Sequence, residues 1–335
     1  MKTLRFASLF AAAALSSAAF ANLKVITTTA DLASIASAVG GNKVSVSSIL
    51  TGARDAHRVE AKPSYMSRTA TADVFVAVGL DLEVGYERPI LDGSGNRKVA
   101  IGAPGHIYAS DFTYVLEKPT GGVTRAQGDI HPFGNPHVWL DPYNGRLVAL
   151  GLADRFSKLD RANASAYAAN AAAFVKRLDV AMFGAELVAK FGGEKLWEMH
   201  NSGNFVQKLG SSAGDLGGWA AKMAPLAGVP IVTYHRSLSY LARRFKLNVV
   251  DELEPKPGLE PTPGHLADVI REAASEKVRA IVQEPFFSPQ HAKLVAARSG
   301  AKVIIIPQNV GQSPGANDYI SLFDVIVNSL AGELR

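Results

Sequence analysis

Residues 229–251 read Val229-Pro230-Ile231-Val232-Thr233-Tyr234-His235, then Arg236-Ser237-Leu238-Ser239-Tyr240-Leu241-Ala242-Arg243-Arg244-Phe245, then Lys246-Leu247-Asn248-Val249-Val250-Asp251. A β-branched run, a helical stretch and a second short apolar run make one β-α-β unit, which implies parallel strands. The same alternation recurs on both sides. Further strands are expected at 23–28, 44–50, 73–78, 278–283 and 303–306, and helices at 31–39, 63–70, 263–274, 289–298 and 318–330. The runs 74–78 and Ile304-Ile305-Ile306 read as strands covered on both faces. In the middle, over roughly 144–190, Tyr167, Phe174, Leu178 and Met182 recur at helical spacing on an Ala-rich background. That tract lies between two β/α halves and reads as a stiff connector. The fold class that follows is α/β with two lobes, each a mostly parallel β-sheet flanked by helices, joined by a long central helix. The expected division is 1–21 signal peptide, 22–158 N-terminal lobe, 159–190 linker helix and 191–335 C-terminal lobe. Two segments lack a clear period: 118–134 reads as a loop, and 192–226, with its Gly and Ser clusters and Trp197 and Trp219, as a loop-rich insertion.

The N-terminus reads as a secretion signal. Lys2 and Arg5 precede an apolar run, and Ala19-Phe20-Ala21 fits a small-residue cleavage site. Cleavage before Asn22 would lower the formal net charge from +5 to +3, because residues 1–21 hold those two bases and no acid. So small a bias gives no argument for nucleic acid or anionic lipid, and no nucleic-acid partner is expected. The chain has no Cys, so the signal is not of the lipoprotein kind and nothing depends on disulfides. A periplasmic location is expected.

No nucleophile motif is convincing, there is no thiol, and no Gly-rich loop joins a strand to a helix in the nucleotide-binding manner. Eight His remain. Three follow strands or long loops, where ligands gather in open parallel sheets: His57 beyond 44–50, His235 directly after 229–233, and His137 in Asn135-Pro136-His137-Val138-Trp139-Leu140-Asp141-Pro142. Read alone, each fits a hydrogen-bonded core histidine at least as well as a ligand, and no local motif ties them together. Asp318, ahead of the last helix, reads by itself as an N-cap.

Six segments change that reading when taken in order. They are 55–64 (Asp-Ala-His-Arg-Val-Glu-Ala-Lys-Pro-Ser), 135–142, 233–241 (Thr-Tyr-His-Arg-Ser-Leu-Ser-Tyr-Leu), 260–266 (Glu-Pro-Thr-Pro-Gly-His-Leu), 283–288 (Gln-Glu-Pro-Phe-Phe-Ser) and 315–320 (Gly-Ala-Asn-Asp-Tyr-Ile). With the opening Val-Ile-Thr-Thr-Thr-Ala-Asp-Leu, the chain resembles the metal-binding subunits of zinc and manganese ABC importers, the group related to bacterial adhesins. The resemblance implies a metal held between lobes by His57, His137, His235 and Asp318, and delivery to an ABC permease in the inner membrane. Four protein ligands close the site, as in a carrier and not an enzyme, and a monomer is expected; the 192–226 insertion reads as a docking surface for the permease or a metallochaperone, or as a decorated loop. Three imidazoles and one carboxylate suit Zn2+, whereas manganese favours more oxygen and its carriers typically have a carboxylate in place of His235. The alternatives are a manganese or iron carrier of the same family and a zinc hydrolase built on the three His. Glu284 resembles a position near the cleft that would hydrogen-bond a ligand His. The short 118–134 segment departs from the His-rich loop of many zinc members; its His131 is read as a solvated loop residue. His106, His200, His265 and His291 are read as ordinary surface or core residues.

Overall fold

The computed structural model describes residues 22–52, 54–122, 128 and 131–334. The expected signal peptide, 1–21, lies outside them, as does part of the 118–134 loop. The N-terminal lobe runs β1 (Leu23–Thr27), α1 (Ala30–Gly40), β2 (Val44–Ser48), α2 (Pro63–Thr69), β3 (Val74–Ala77), α3 (Glu87–Ser94) and β4 (His106–Tyr108). A helical middle follows: α4 (Pro142–Leu159), α5 (Ala164–Phe183), α6 (Ala185–Phe191), α7 (Gly193–Asn201), α8 (Phe205–Leu209) and α9 (Gly218–Met223). The C-terminal lobe runs β5 (Pro230–Thr233), α10 (Ser239–Phe245), β6 (Asn248–Glu252), α11 (Pro263–Ser275), β7 (Ala280–Gln283), α12 (Pro289–Ser299), β8 (Lys302–Ile305) and α13 (Tyr319–Glu333). Both sheets are parallel and share one plan: β2-β1-β3-β4 in the first lobe and β6-β5-β7-β8 in the second. No described helix is long and apolar enough to cross a membrane.

Four expectations need correction. The tract over 144–190 is not one rod. Asp160 leaves helical geometry and accepts hydrogen bonds from Asn163 and Tyr167, so α4 ends and α5 turns back along it. Segment 192–226 is mostly helical; its helices are short, and the Gly at 192, 203 and 210 take left-handed φ values that stop them. Strand β4 was missed because three residues carry no period, and α3 also went unread. Finally, Val74 to Val78 are fully buried, but Ile305 is 49% exposed between a buried Ile304 and Ile306. Strand β8 lies at the sheet edge, paired only with β7, and one face of it is open.

The buried stripe of α5, Tyr167, Phe174, Leu178 and Met182, belongs to a core that is continuous between the two lobes. Polar bonds cross the same seam. The Tyr319 hydroxyl donates to Trp139 O at 2.6 Å, the Trp139 indole donates to Gln308 O at 2.9 Å, and Val310 N donates to Asp31 at 3.0 Å. Gly145 on α4 makes room for the first of these: a Cβ there would stand 2.3 Å from the Tyr319 ring. The lobes are thus tied together immediately behind the loops that leave the carboxyl ends of β2 and β5.

Candidate metal centre

Those loops and the segment that leads into α4 bring His57, His235 and His137 together. One ring nitrogen of each lies within 4.8 Å of the others. His137 and His235 are buried, and His57 is partly so. Each ring is fixed by the same device on its other nitrogen. His57 Nδ1 donates to Asp55 Oδ1 at 2.9 Å, His137 Nδ1 to Asn135 Oδ1 at 2.9 Å, and His235 Nδ1 to Glu254 Oε2 at 2.6 Å. Carboxylate and amide oxygens only accept, so the proton sits on Nδ1 and the lone pair on Nε2. The Asn135 amide orientation is itself set, because its Nδ2 donates to Arg236 O at 2.8 Å. Buried His57 Nε2 and His137 Nε2 have no hydrogen-bond partner. Orphaned imidazole nitrogens aimed at one point, with Nδ1 anchored behind them, suit a metal ion.

Local sequence explains two of the anchors. In Asp55-Ala56-His57 and in Asn135-Pro136-His137 the residue two places back accepts from both the His backbone N–H and its Nδ1. These are Asx turns, which lock ring and loop together. This repeated Asx-x-His pattern was available in the sequence. The third anchor, Glu254, comes from 19 residues away, beyond β6.

Electrostatics follow from burial. Burial, then the neighbouring charges of His57, His235 and His131, hold the His137 pKa well below the usual imidazole value. At His235 burial also lowers it, but the hydrogen bond and charge of Glu254 outweigh burial and raise it. Burial opposes ionisation of Asp55, yet its bonds to His57 hold its carboxyl below the usual range. Glu284 is pushed up to about 7 by burial, against the hydrogen bond from Ser237. Asp55, His57, His137, His235, Glu254 and Glu284 line one cavity of about 370 Å³, which also includes Gln308 and Phe287.

Asp318 does not join the group. It caps α13 instead: its Oδ1 accepts from Ser321 N at 2.7 Å while Ser321 Oγ accepts from Asp318 N at 2.8 Å, a reciprocal capping box. Its side chain is half exposed, faces Arg177, and lines a separate surface cavity beside α1. The physical reason is local: Asp-Tyr-Ile-Ser is itself a cap sequence, and the cap geometry commits the carboxylate to its own helix. His131 departs in the other direction. It is partly buried, its ring centroid 5.3 Å from that of His57, beside a smaller cavity shared with His137 and His235. Glu284, read as a neighbour of the site, lines the main cavity. Of the other four His, His106 is bonded to Glu87, His200 to Arg244 and His265 to Glu252 O, all away from this cavity.

The family profile described as ZnuA, zinc-uptake complex component A, periplasmic, matches residues 25–182 and 206–332. The chain belongs to the ZnuA family. The match passes over 183–205, the stretch that carries α6 and α7. Among relatives, the iron-binding protein YfeA of Yersinia pestis is 23% identical over 97% of this chain and 92% of its own length. The zinc-binding protein AdcA of Streptococcus pyogenes is 24% identical over 85% of this chain, which spans about half of AdcA. A crystal structure of ZnuA superposes with a TM-score of 0.70 at 20% identity, covering 94% of this chain and all of that one. A manganese-bound periplasmic metal-binding protein of Candidatus Liberibacter asiaticus gives 0.67 at 18% identity, with the same coverage. The fold, two parallel α/β lobes, is that of the ZnuA structures. The ZnuA family supplies substrate-binding components of metal importers.

Proposed function

We propose that this ZnuA-family chain captures one Zn2+ on His57, His137 and His235 and delivers it to the membrane permease of an ABC importer. The observation that carries the reading is the convergence of three imidazoles whose Nδ1 atoms are already committed to Asp55, Asn135 and Glu254. Three nitrogen donors favour zinc over manganese, both by ligand preference and by the general order of divalent affinities. Relatives alone do not choose the metal, since YfeA is named for iron and AdcA for zinc. Zinc bonds of roughly 2.0–2.1 Å put tetrahedral donors about 3.3 Å apart, so the imidazoles draw inward on binding. Binding weakens as the pH falls, because protons compete for the same lone pairs. Export to the periplasm through residues 1–21, and action as a monomeric carrier, belong to the same reading.

The test is a competition titration of the chelator-stripped protein with zinc and then manganese. The expected result is one zinc per chain that excess manganese does not displace; displacement would make this a manganese or iron carrier. A second expectation concerns the anchor of His235. Glu254→Gln keeps the shape but replaces the anionic acceptor, and zinc affinity should fall roughly ten- to a hundredfold. Unchanged affinity in a chelator competition assay would remove Glu254 from the site.

A further inference from the structure

A separate cavity of about 210 Å³ opens in the helical middle of the chain, between α7, α8, α9 and the end of α10. It shares no lining residue with the cavity of the three imidazoles. Part of its wall, His200 to Phe205, comes from the stretch that the family match passes over. The body is apolar, with Phe205, Leu216, Met223 and Phe245 in the wall and a 54% exposed Val206 beside them.

Its polar part has one sign. Among the described residues Arg244 and Lys246 line the cavity, and no Asp or Glu does. Arg244 is neutralised by Asp141, whereas Lys246 is exposed and has no ion-pair partner among the described residues. His200 adds a donor. Arg244 Nη1 donates to His200 Nδ1 at 2.9 Å, and an arginine can only donate, so the imidazole proton sits on Nε2. Burial, then the charge of Arg244, with Lys246 adding to them against Asp141, push the ring down to about 4, so it is neutral at pH 7. No described group accepts from Nε2. Because the Lys246 charge is felt at His200, the ammonium and the N–H lie at one end of the cavity. Apolar walls with such an end, and no acid, complement an apolar chain with an anionic head. At roughly 20–30 Å³ per non-hydrogen atom, the cavity holds about seven to ten of them, the size of hexanoate to octanoate.

We propose that this cavity is a second ligand site, taking an unbranched aliphatic monocarboxylate of about six to eight carbons, with its head at Lys246 and His200 Nε2 and its chain against Phe205, Met223 and Phe245. The site stands apart from the metal reading, since it uses none of the three imidazoles.

Calorimetric titration of the protein with octanoate tests this, and one saturable site per chain is expected. Affinity should fall about fourfold for each methylene removed on going to hexanoate. Octylamine, the same chain with a cationic head, should not bind. Lys246→Glu alters an exposed side chain and should weaken octanoate about tenfold. Ala224→Phe fills the cavity from an exposed position and should abolish binding, with a thermal melt showing that both variants stay folded. Octylamine binding as well as octanoate, or equal octanoate affinity in Lys246→Glu, would overturn the carboxylate assignment. Binding that survives Ala224→Phe would put the ligand elsewhere, and a wild-type protein that takes up no octanoate would overturn the site outright.

Discussion

His137→Ala is expected to lower zinc affinity by about two orders of magnitude while leaving the protein folded. His137 is the most enclosed of the three imidazoles at 2% exposure, and its ring is held by Asn135. If roughly 10–16 kcal/mol of zinc binding is shared among four donors, one imidazole contributes about 3 kcal/mol. That corresponds to about a hundredfold in affinity. Removal also leaves Asn135 Oδ1 without the ring, though it still accepts from the backbone N–H of residue 137. A chelator competition assay beside a thermal melt separates the two effects. Unchanged zinc affinity with an unchanged melt would mean that the three imidazoles are a packed polar cluster and that the metal binds elsewhere. His235→Ala should behave alike, with Glu254 left as a buried carboxylate lacking its strongest partner.

The sequence was legible where the signal is periodic or local. Seven of the eight strands of the two sheets were anticipated, because β-branched runs bounded by helical patterns leave few alternatives. What escaped was short or interrupted. Strand β4 has three residues, and the helices between 192 and 226 are broken by Gly before a full amphipathic period develops. The site divides in the same way. Each His stood beyond a strand or a long loop, where the parallel sheet puts ligands, and Asx-x-His was visible twice. The convergence was not visible, because 80 and 98 residues separate the three His and nothing local encodes their meeting. Nor was the pairing of His235 with Glu254, or the buried Glu284 oxygen left without a partner, since both depend on how β6 and β7 present their following loops. Asp318 illustrates the opposite hazard. Its local capping signal was correct, and the resemblance that moved it into the site was overruled by the geometry of its own helix.

Arg244→Ala is the substitution expected to cost most in stability. Arg244 on α10 grips Asp141, the N-cap of α4, with two parallel bonds: Nε to Oδ1 at 2.8 Å and Nη2 to Oδ2 at 2.7 Å. Its remaining nitrogen, Nη1, reaches Asn201 at 2.8 Å and His200 at 2.9 Å, in the α7 segment that lies outside the family match. The guanidinium also lies over the Tyr143 and Trp197 rings. Both partners of the ion pair are buried, with side chains 5% and 0% exposed. A buried pair adds little net stability over a hydrophobic replacement, but removing one member strands the other charge and costs about 3–5 kcal/mol. Asp141 would keep Tyr143 N and the Tyr114 hydroxyl as donors, which places the loss nearer the lower end. In a chain of this size that is a fall in Tm of roughly 5 °C. The control is Arg244→Met combined with Asp141→Asn, which removes both charges at similar volume and should recover most of the loss. If the double variant is no more stable than Arg244→Ala, the cost lies in packing against Trp197 and not in the stranded carboxylate. Zinc affinity should follow stability here, because Asp141 lies four residues after His137 and Arg244 nine after His235. The clamp fixes the distance between the two chain segments that bring those ligands to the ion, so a loosened clamp spreads the imidazoles before any ligand has been changed.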